Sequence, residues 1–249
     1  MFYKLKIILD NSNKYDYKIS SLLHGVLMQY ISLEYADELH KNGLKPYTQH
    51  FEIEEENIIW TITTLTEEAK KNIIDKLVAA NPDELYLEYK DDSLKVLKLE
   101  LEKTEYSELL EKTYFGNCAR IVRITFKTPT AFKVSGNYQF YPTVEHIFGS
   151  LIRKHDQVSE GTKIFSEEIM DEINEHVSIA GYNLRSRMFH LEGIKIPSFV
   201  GNITLKINGT RQFVNLINML CEFGVYSGVG IKTAIGMGSI GVSQKSGKE

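Results

Sequence analysis

An α+β fold in two tandem halves is what this sequence predicts, and three observations predict it. By hydrophobic periodicity, residues 1–103 run strand, helix, strand, strand, helix, strand. Residues 119–249 repeat that order after a connecting stretch, 104–118. Six glycines between Gly224 and Gly241 mark a sharply turned loop before the last strand. The β-α-β-β-α-β order is the ferredoxin-like arrangement, here expected twice.

The elements follow from local patterns. Phe2–Leu9 alternates as a strand does. Ile19–Leu39 carries apolar residues at 19, 22, 23, 26, 27 and 30, which is helical spacing, with Ser20 or Ser21 placed to cap it and Gly43 to stop it. Tyr47–Ile53 and Ile58–Thr63 read as strands around an acidic turn. Thr66 heads a helix through Ala79, with Glu67 and Glu68 in its first turn, and Asn81-Pro82 breaks it. Leu94–Leu101 returns as a strand.

In the second half, Ala119–Phe126 is a strand that Thr128-Pro129-Thr130 ends. Thr143–His155 is an amphipathic helix. Val177–Ala180, Phe189–Ile194 and Phe199–Ile207 have strand character, Arg211–Phe223 is helical, and Gly238–Ser243 closes as a strand.

Composition narrows the class. A chain of 249 residues, 43% hydrophobic and 25% charged, buries a sizeable core as one large domain or two small ones. No apolar run approaches the roughly 18 residues of a membrane span, and Met-Phe-Tyr-Lys-Leu-Lys reads as a strand, not a signal peptide. Cys118 and Cys221 are too few for a disulfide framework or a closed zinc site. The expectation is a cytoplasmic protein, off the membrane, with no metal or cofactor.

Charge is unevenly spread. The net charge is −4, yet residues 1–118 carry −8 and residues 119–249 carry +4. All six arginines (Arg120, Arg123, Arg153, Arg185, Arg187 and Arg211) lie in the second half. Arginine suits bidentate phosphate contact and stacking on bases, so a polyanion is assigned mainly to that half. Solvated surface charge without a ligand is the bland alternative.

The glycine cluster is the sharpest signal. Gly228-Val-Gly230 and Gly236-Met-Gly238 flank five residues that include Lys232. The pattern suggests a nest of backbone N–H groups for phosphate, with Lys232 as the charge. It is neither the Walker lysine loop nor a dinucleotide fingerprint in its βαβ setting. A tight hairpin with no ligand is the competing reading.

With this loop and the tandem order, the chain resembles the CRISPR-associated RNA-processing endoribonucleases of the RAMP superfamily, Cas six type. Leu23-His24-Gly25, Leu39-His40 with Lys45, and Phe126-Lys127-Thr128-Pro129-Thr130 add to the resemblance, which covers nearly the whole chain. The resemblance implies cleavage of repeat RNA in precursor crRNA to release guide RNAs, without metal. The 2′-hydroxyl would attack the adjacent phosphate, leaving a 2′,3′-cyclic phosphate and a 5′-hydroxyl. It further implies that the family's histidine falls on His40 and its nearby lysine on Lys45. The tyrosine of some members falls nearest Met28, a departure for which Tyr30 or His24 would substitute. A CRISPR effector complex and a homodimer are further partners it leaves open.

The residue chemistry agrees with that reading. Histidine moves protons near neutral pH. His40, in the expected last turn of a helix, would be favoured as imidazolium by the helix dipole, and Lys45 would add charge at the phosphate. An ordinary exposed helix-end histidine is the alternative for His40. His24 sits at the flank of an apolar stripe beside Gly25, which would let RNA or the glycine loop pack close. A rim histidine bonded to a neighbour is the alternative there. His50, His146, His155, His176 and His190 have no comparable setting.

RNA grip is expected from Lys232 within the loop of Gly228, Gly230, Gly236 and Gly238, from Lys127, Lys133 and Arg153, and from Arg185 and Arg187 on one side of an extended run. Tyr182 and Phe189 would stack on unpaired bases. Two other functions stand beside the nuclease: a RAMP-type subunit that holds guide RNA without cutting, and a ferredoxin-like binder of a small phosphate compound.

Overall fold

In the computed structural model of the chain, residues 1–249 are described except 16–18, 42, 160, 162, 192 and 245–249. Two antiparallel sheets organise the molecule. The first half contributes β1 (Phe2–Asp10), β2 (Tyr47–Glu54), β3 (Asn57–Thr64), β4 (Glu84–Leu87) and β5 (Asp92–Thr104), in the order β2-β3-β1-β5-β4. Its helices are α1 (Ser20–Tyr30), α2 (Leu33–Lys41), α3 (Glu67–Ala69) and α4 (Asp75–Ala80), the last two joined by a π-helical turn over Lys70–Ile74. Leu5, Ile7 and Leu9 of β1 meet Leu23 and Leu27 of α1 in the first core, so apolar positions of period two face apolar positions of helical period.

The second half contributes β6 (Ile121–Thr130), β9 (Val177–Leu191), β10 (Ile194–Ile207) and β11 (Ile240–Gln244), in the order β11-β6-β10-β9, with a small hairpin of β7 (Phe132–Val134) and β8 (Asn137–Gln139). Helices α5 (Tyr106–Lys112), α6 (Val144–Val158), α7 (Glu167–His176) and α8 (Arg211–Ser227) complete it. Each sheet keeps the ferredoxin-like strand order, the first with β4 added at its edge. No helix among the described residues is long and apolar enough to cross a membrane.

Several expected elements change. The helix over Ile19–Leu39 is two helices, because Ile31 turns extended and Ser32 restarts the chain: the Ser32 hydroxyl accepts from the Tyr35 amide at 3.3 Å. Neither serine caps α1, since its cap position is Ile19 and makes no side-chain bond. β6 runs through Pro129 to Thr130, with its pairing to β10 shifting register between Phe199 and Gly201. Three expected short strands are two long ones, β9 and β10, paired from Val177↔Ile207 to Leu191↔Ile194. The stretch 104–118 holds α5, whose Leu109 enters the second core. Thr66 caps its helix as expected, accepting from the Ala69 amide, and the chain breaks at Asn81, which takes the left-handed conformation; Thr143 also caps α6, accepting from the His146 amide.

Two of the contacts that lock the halves together bear on the site. Phe2 stacks on Tyr226 with ring centroids 4.8 Å apart, and Thr48 Oγ1 donates to the Tyr226 carbonyl. The second is at the glycine loop, whose Ala234 belongs to the first core although it follows α8 in sequence.

Candidate functional site

The glycine loop, residues 228–238, is built by close packing. Gly228, Gly230, Gly236 and Gly238 all have positive φ, between +62° and +107°. A Cβ at each would collide with a neighbour: Thr233 Cγ2 at Gly228, the Ala131 carbonyl at Gly230, Ser20 Oγ at Gly236 and the Val229 carbonyl at Gly238. Only glycine fits all four positions.

The loop's amides are largely spent on the protein. The Gly228 amide donates to the Gly224 carbonyl, Val229 to Gly238, Ile231 to Ala131 and Gly238 to Pro129. The Gly230 amide donates to Ser150 Oγ at 2.9 Å. The expected phosphate nest is therefore not what these glycines make. They let the loop lie flat on β6 and α6, and at its apex Lys232 takes the left-handed conformation at φ +54°. The Lys232 side chain is exposed at that apex.

The first half holds the same loop from the other side. Ser20 Oγ donates to the Ile235 carbonyl at 2.8 Å, and Gln49 Nε2 donates to the Ala234 carbonyl at 3.0 Å. Gln49 is itself fixed by Trp60, whose indole N–H reaches its amide oxygen at 2.6 Å. His24 lies one turn beyond Ser20 on α1, on the same face.

This lock assembles a groove of about 1060 Å³ lined by His24, His40, Lys45 and Lys232 together with Lys133 and Arg153. Residues far apart in sequence thus meet in one cavity. Burial pushes the His24 imidazole down to about 4, and the charges of His40 and Lys232 nearby add to the shift. His24 Nδ1 is buried with no hydrogen-bond partner among the described residues. His40 is exposed in the last turn of α2, as expected. Lys45 lines the groove, and its ammonium donates to the Leu39 carbonyl at the end of α2. It secures the turn that carries His40.

The remaining expected contacts divide. Lys127 lies outside this groove, in a second cleft of about 410 Å³ with Lys4, Lys6 and His50, where its ammonium bonds Glu52 Oε1 at 2.6 Å. Arg185 and Arg187 share one face of β9, opposite Val200 and Ser198, away from the groove lining. Tyr182 is exposed, but Phe189 is 4% exposed and packs with Ala131, Ile196 and Met237, so it is closed to stacking. Gly25 touches nothing that a Cβ would meet, so the glycine loop does not press there.

Sequence reasoning missed Ser20, Gln49, Ser150 and Lys154 as parts of the site's frame. Lys154 is 7% exposed on α6 and donates to the carbonyls of Ser227 and Gly228 and to Thr233 Oγ1. A lysine seven residues beyond Ile147, on the helix's apolar stripe, was the available signal.

Known proteins resemble this chain over most of its length. The family model described as CRISPR-associated endoribonuclease Cas6 matches residues 124–240. A CRISPR-associated endoribonuclease Cas6 of Streptococcus thermophilus is 33% identical over 235 residues, covering 89% of this chain and 90% of that protein. One from Mycobacterium tuberculosis is 32% identical over 228 residues, covering 91% of this chain and 72% of that protein. Among solved structures, a Cas6 product complex superposes with a TM-score of 0.81 at 22% identity, covering 98% of this chain and 100% of the other. A Thermus thermophilus Cas6 gives 0.76 at 22% identity, covering 98% of each.

Proposed function

The chain belongs to the CRISPR-associated endoribonuclease Cas6 family, and on that premise we propose that it cleaves CRISPR repeat RNA in precursor transcripts by metal-independent 2′-hydroxyl attack. The observation that carries this reading is the convergence of His24, His40 and Lys232 on one groove. Two imidazoles and an ammonium are the groups that RNA transesterification needs.

Burial keeps His24 neutral at physiological pH, so it takes the 2′-hydroxyl proton. The 2′-oxygen then attacks phosphorus, the bond to the 5′-oxygen breaks, and His40 gives that oxygen its proton. The products are a 2′,3′-cyclic phosphate and a 5′-hydroxyl. The phosphodiester's negative charge beside His24 raises its basicity when RNA is bound. Lys232 stabilises charge on the phosphorane, while Lys45 acts through the end of α2. Lys133 and Arg153 extend the cationic wall along the groove, and Arg185 and Arg187 offer a separate cationic face on β9 for RNA beyond it. All the named groups come from one chain, so the chemistry does not call for the effector complex or the homodimer.

The test is cleavage of a labelled repeat RNA in excess EDTA by wild type, His24→Ala and His40→Ala, with a control substrate carrying one 2′-deoxy nucleotide at the cut site. Wild-type cutting, blocked by the deoxy sugar and slowed about 100-fold or more by either substitution, is the expected outcome. Binding without cutting would instead assign a subunit that holds guide RNA.

A further inference from the structure

We propose that Lys154 is a positioning residue for cleavage: by tying the start of the glycine loop to Thr233, it sets the place of Lys232 in the groove. The inference rests on the nuclease reading above and adds a residue to it.

The geometry is specific. Lys154 Nζ lies 3.0 Å from the Ser227 carbonyl oxygen, 3.0 Å from that of Gly228 and 3.2 Å from Thr233 Oγ1. An ammonium has three N–H donors, and here each has an acceptor. The first two acceptors are the last residue of α8 and the glycine that follows it, at the negative end of that helix's dipole. The third belongs to the residue after Lys232. One side chain therefore bridges the loop's base and its apex. Ser150, one helical turn earlier on α6, holds Gly230 between those two points.

A buried cation with no carboxylate partner among the described residues is costly, and an apolar residue of the same length would fill the space more cheaply. Burial, with the Arg153 charge beside it, pushes Lys154 down to about 7. Losing its proton would leave two donors for three acceptors, so the full bridge needs the charged form. Because all three N–H groups point to protein oxygens, Lys154 does not itself hold the phosphate. Its effect on RNA has to pass through Lys232.

That statement is tested by a double-mutant cycle between Lys154→Met and Lys232→Ala, read as single-turnover cleavage rate at saturating repeat RNA and as RNA affinity. With Lys232 present, Lys154→Met should slow the cleavage step about tenfold or more; in the Lys232→Ala background it should change the rate less than about threefold. Equal losses in both backgrounds would assign Lys154 to stability alone and overturn the proposal. So would a Lys154→Met enzyme with wild-type rate. Should Lys154→Met fail to fold, Thr233→Val removes one arm of the bridge and enters the same cycle, with Thr233→Ser as the variant that restores the rate. If wild type binds repeat RNA without cutting, the nuclease reading falls separately, and the cycle read on affinity still decides whether Lys154 acts through Lys232.

Discussion

The Ser20 hydroxyl donates to the Ile235 carbonyl at 2.8 Å across 215 positions of sequence, and this bond sets α1, which carries His24, against the glycine loop. Ser20 is 5% exposed and begins α1, so its hydrogen bond fixes the face on which His24 sits. Replacing it by alanine leaves the Ile235 carbonyl without that donor. Ser20→Ala should cost about 1 kcal/mol in denaturant unfolding and slow cleavage while leaving RNA affinity nearly unchanged. A cleavage rate equal to wild type would detach the bond from the chemistry.

Two glycines should answer alanine in opposite senses. Gly238 has φ +71° and would drive a Cβ into the Val229 carbonyl, so Gly238→Ala should destabilise by about 2 kcal/mol or more. Gly25 lies inside α1 with open space around it, so Gly25→Ala should stabilise by up to about 1 kcal/mol. Thermal melts of both variants check the contrast. If RNA lies against Gly25, that more stable variant will bind repeat RNA more weakly.

His24 predicts a pH dependence of stability. Its imidazole is pushed down to about 4 from an ordinary 6.5. The unfolded chain therefore binds a proton at this site at a pH where the folded chain does not. The contribution of His24 to stability is full above about pH 6.5 and is lost as pH falls toward 4, for a total on the order of 3 kcal/mol. His24→Gln should flatten that part of the curve. Urea titrations of both proteins between pH 7 and pH 4 measure it, and parallel curves would contradict the buried neutral imidazole.

Salt dependence should separate the basic residues. Lys133 and Arg153 line the groove, whereas Lys127 is paired with Glu52 in the other cleft. Lys133→Ala and Arg153→Ala should each weaken RNA binding and lower the slope of log affinity against log salt by about 1. Lys127→Ala should change that slope much less, because its charge is already balanced. Filter binding over a salt series distinguishes them, and an equal slope change at Lys127 would extend the RNA path into the second cleft.

The parts legible in sequence are those governed by local rules. The apolar periods of β1 and of Arg211–Phe223, the cap at Thr66 and the break at Asn81 depend on near neighbours in the chain. The break at Ser32 was also local: a serine followed by Glu34 in the next turn is a helix start that the apolar stripe concealed. The length of the β9–β10 ribbon was not, since a register shift between Thr204 and Leu205 interrupts its alternation.

The sequence by itself determined the tandem α+β order, the glycine spacing and the candidate groups His24, His40, Lys45 and Lys232, because each is written in residue type and spacing. Tertiary structure alone decided what the glycines are for and which cations share a groove. Gly236 is a glycine because Ser20 occupies the space a Cβ would take, and Lys127 leaves the site because Glu52 of the other sheet claims its ammonium. Such constraints come from contacts between distant segments, and no local period records a contact that exists only after the two halves have packed.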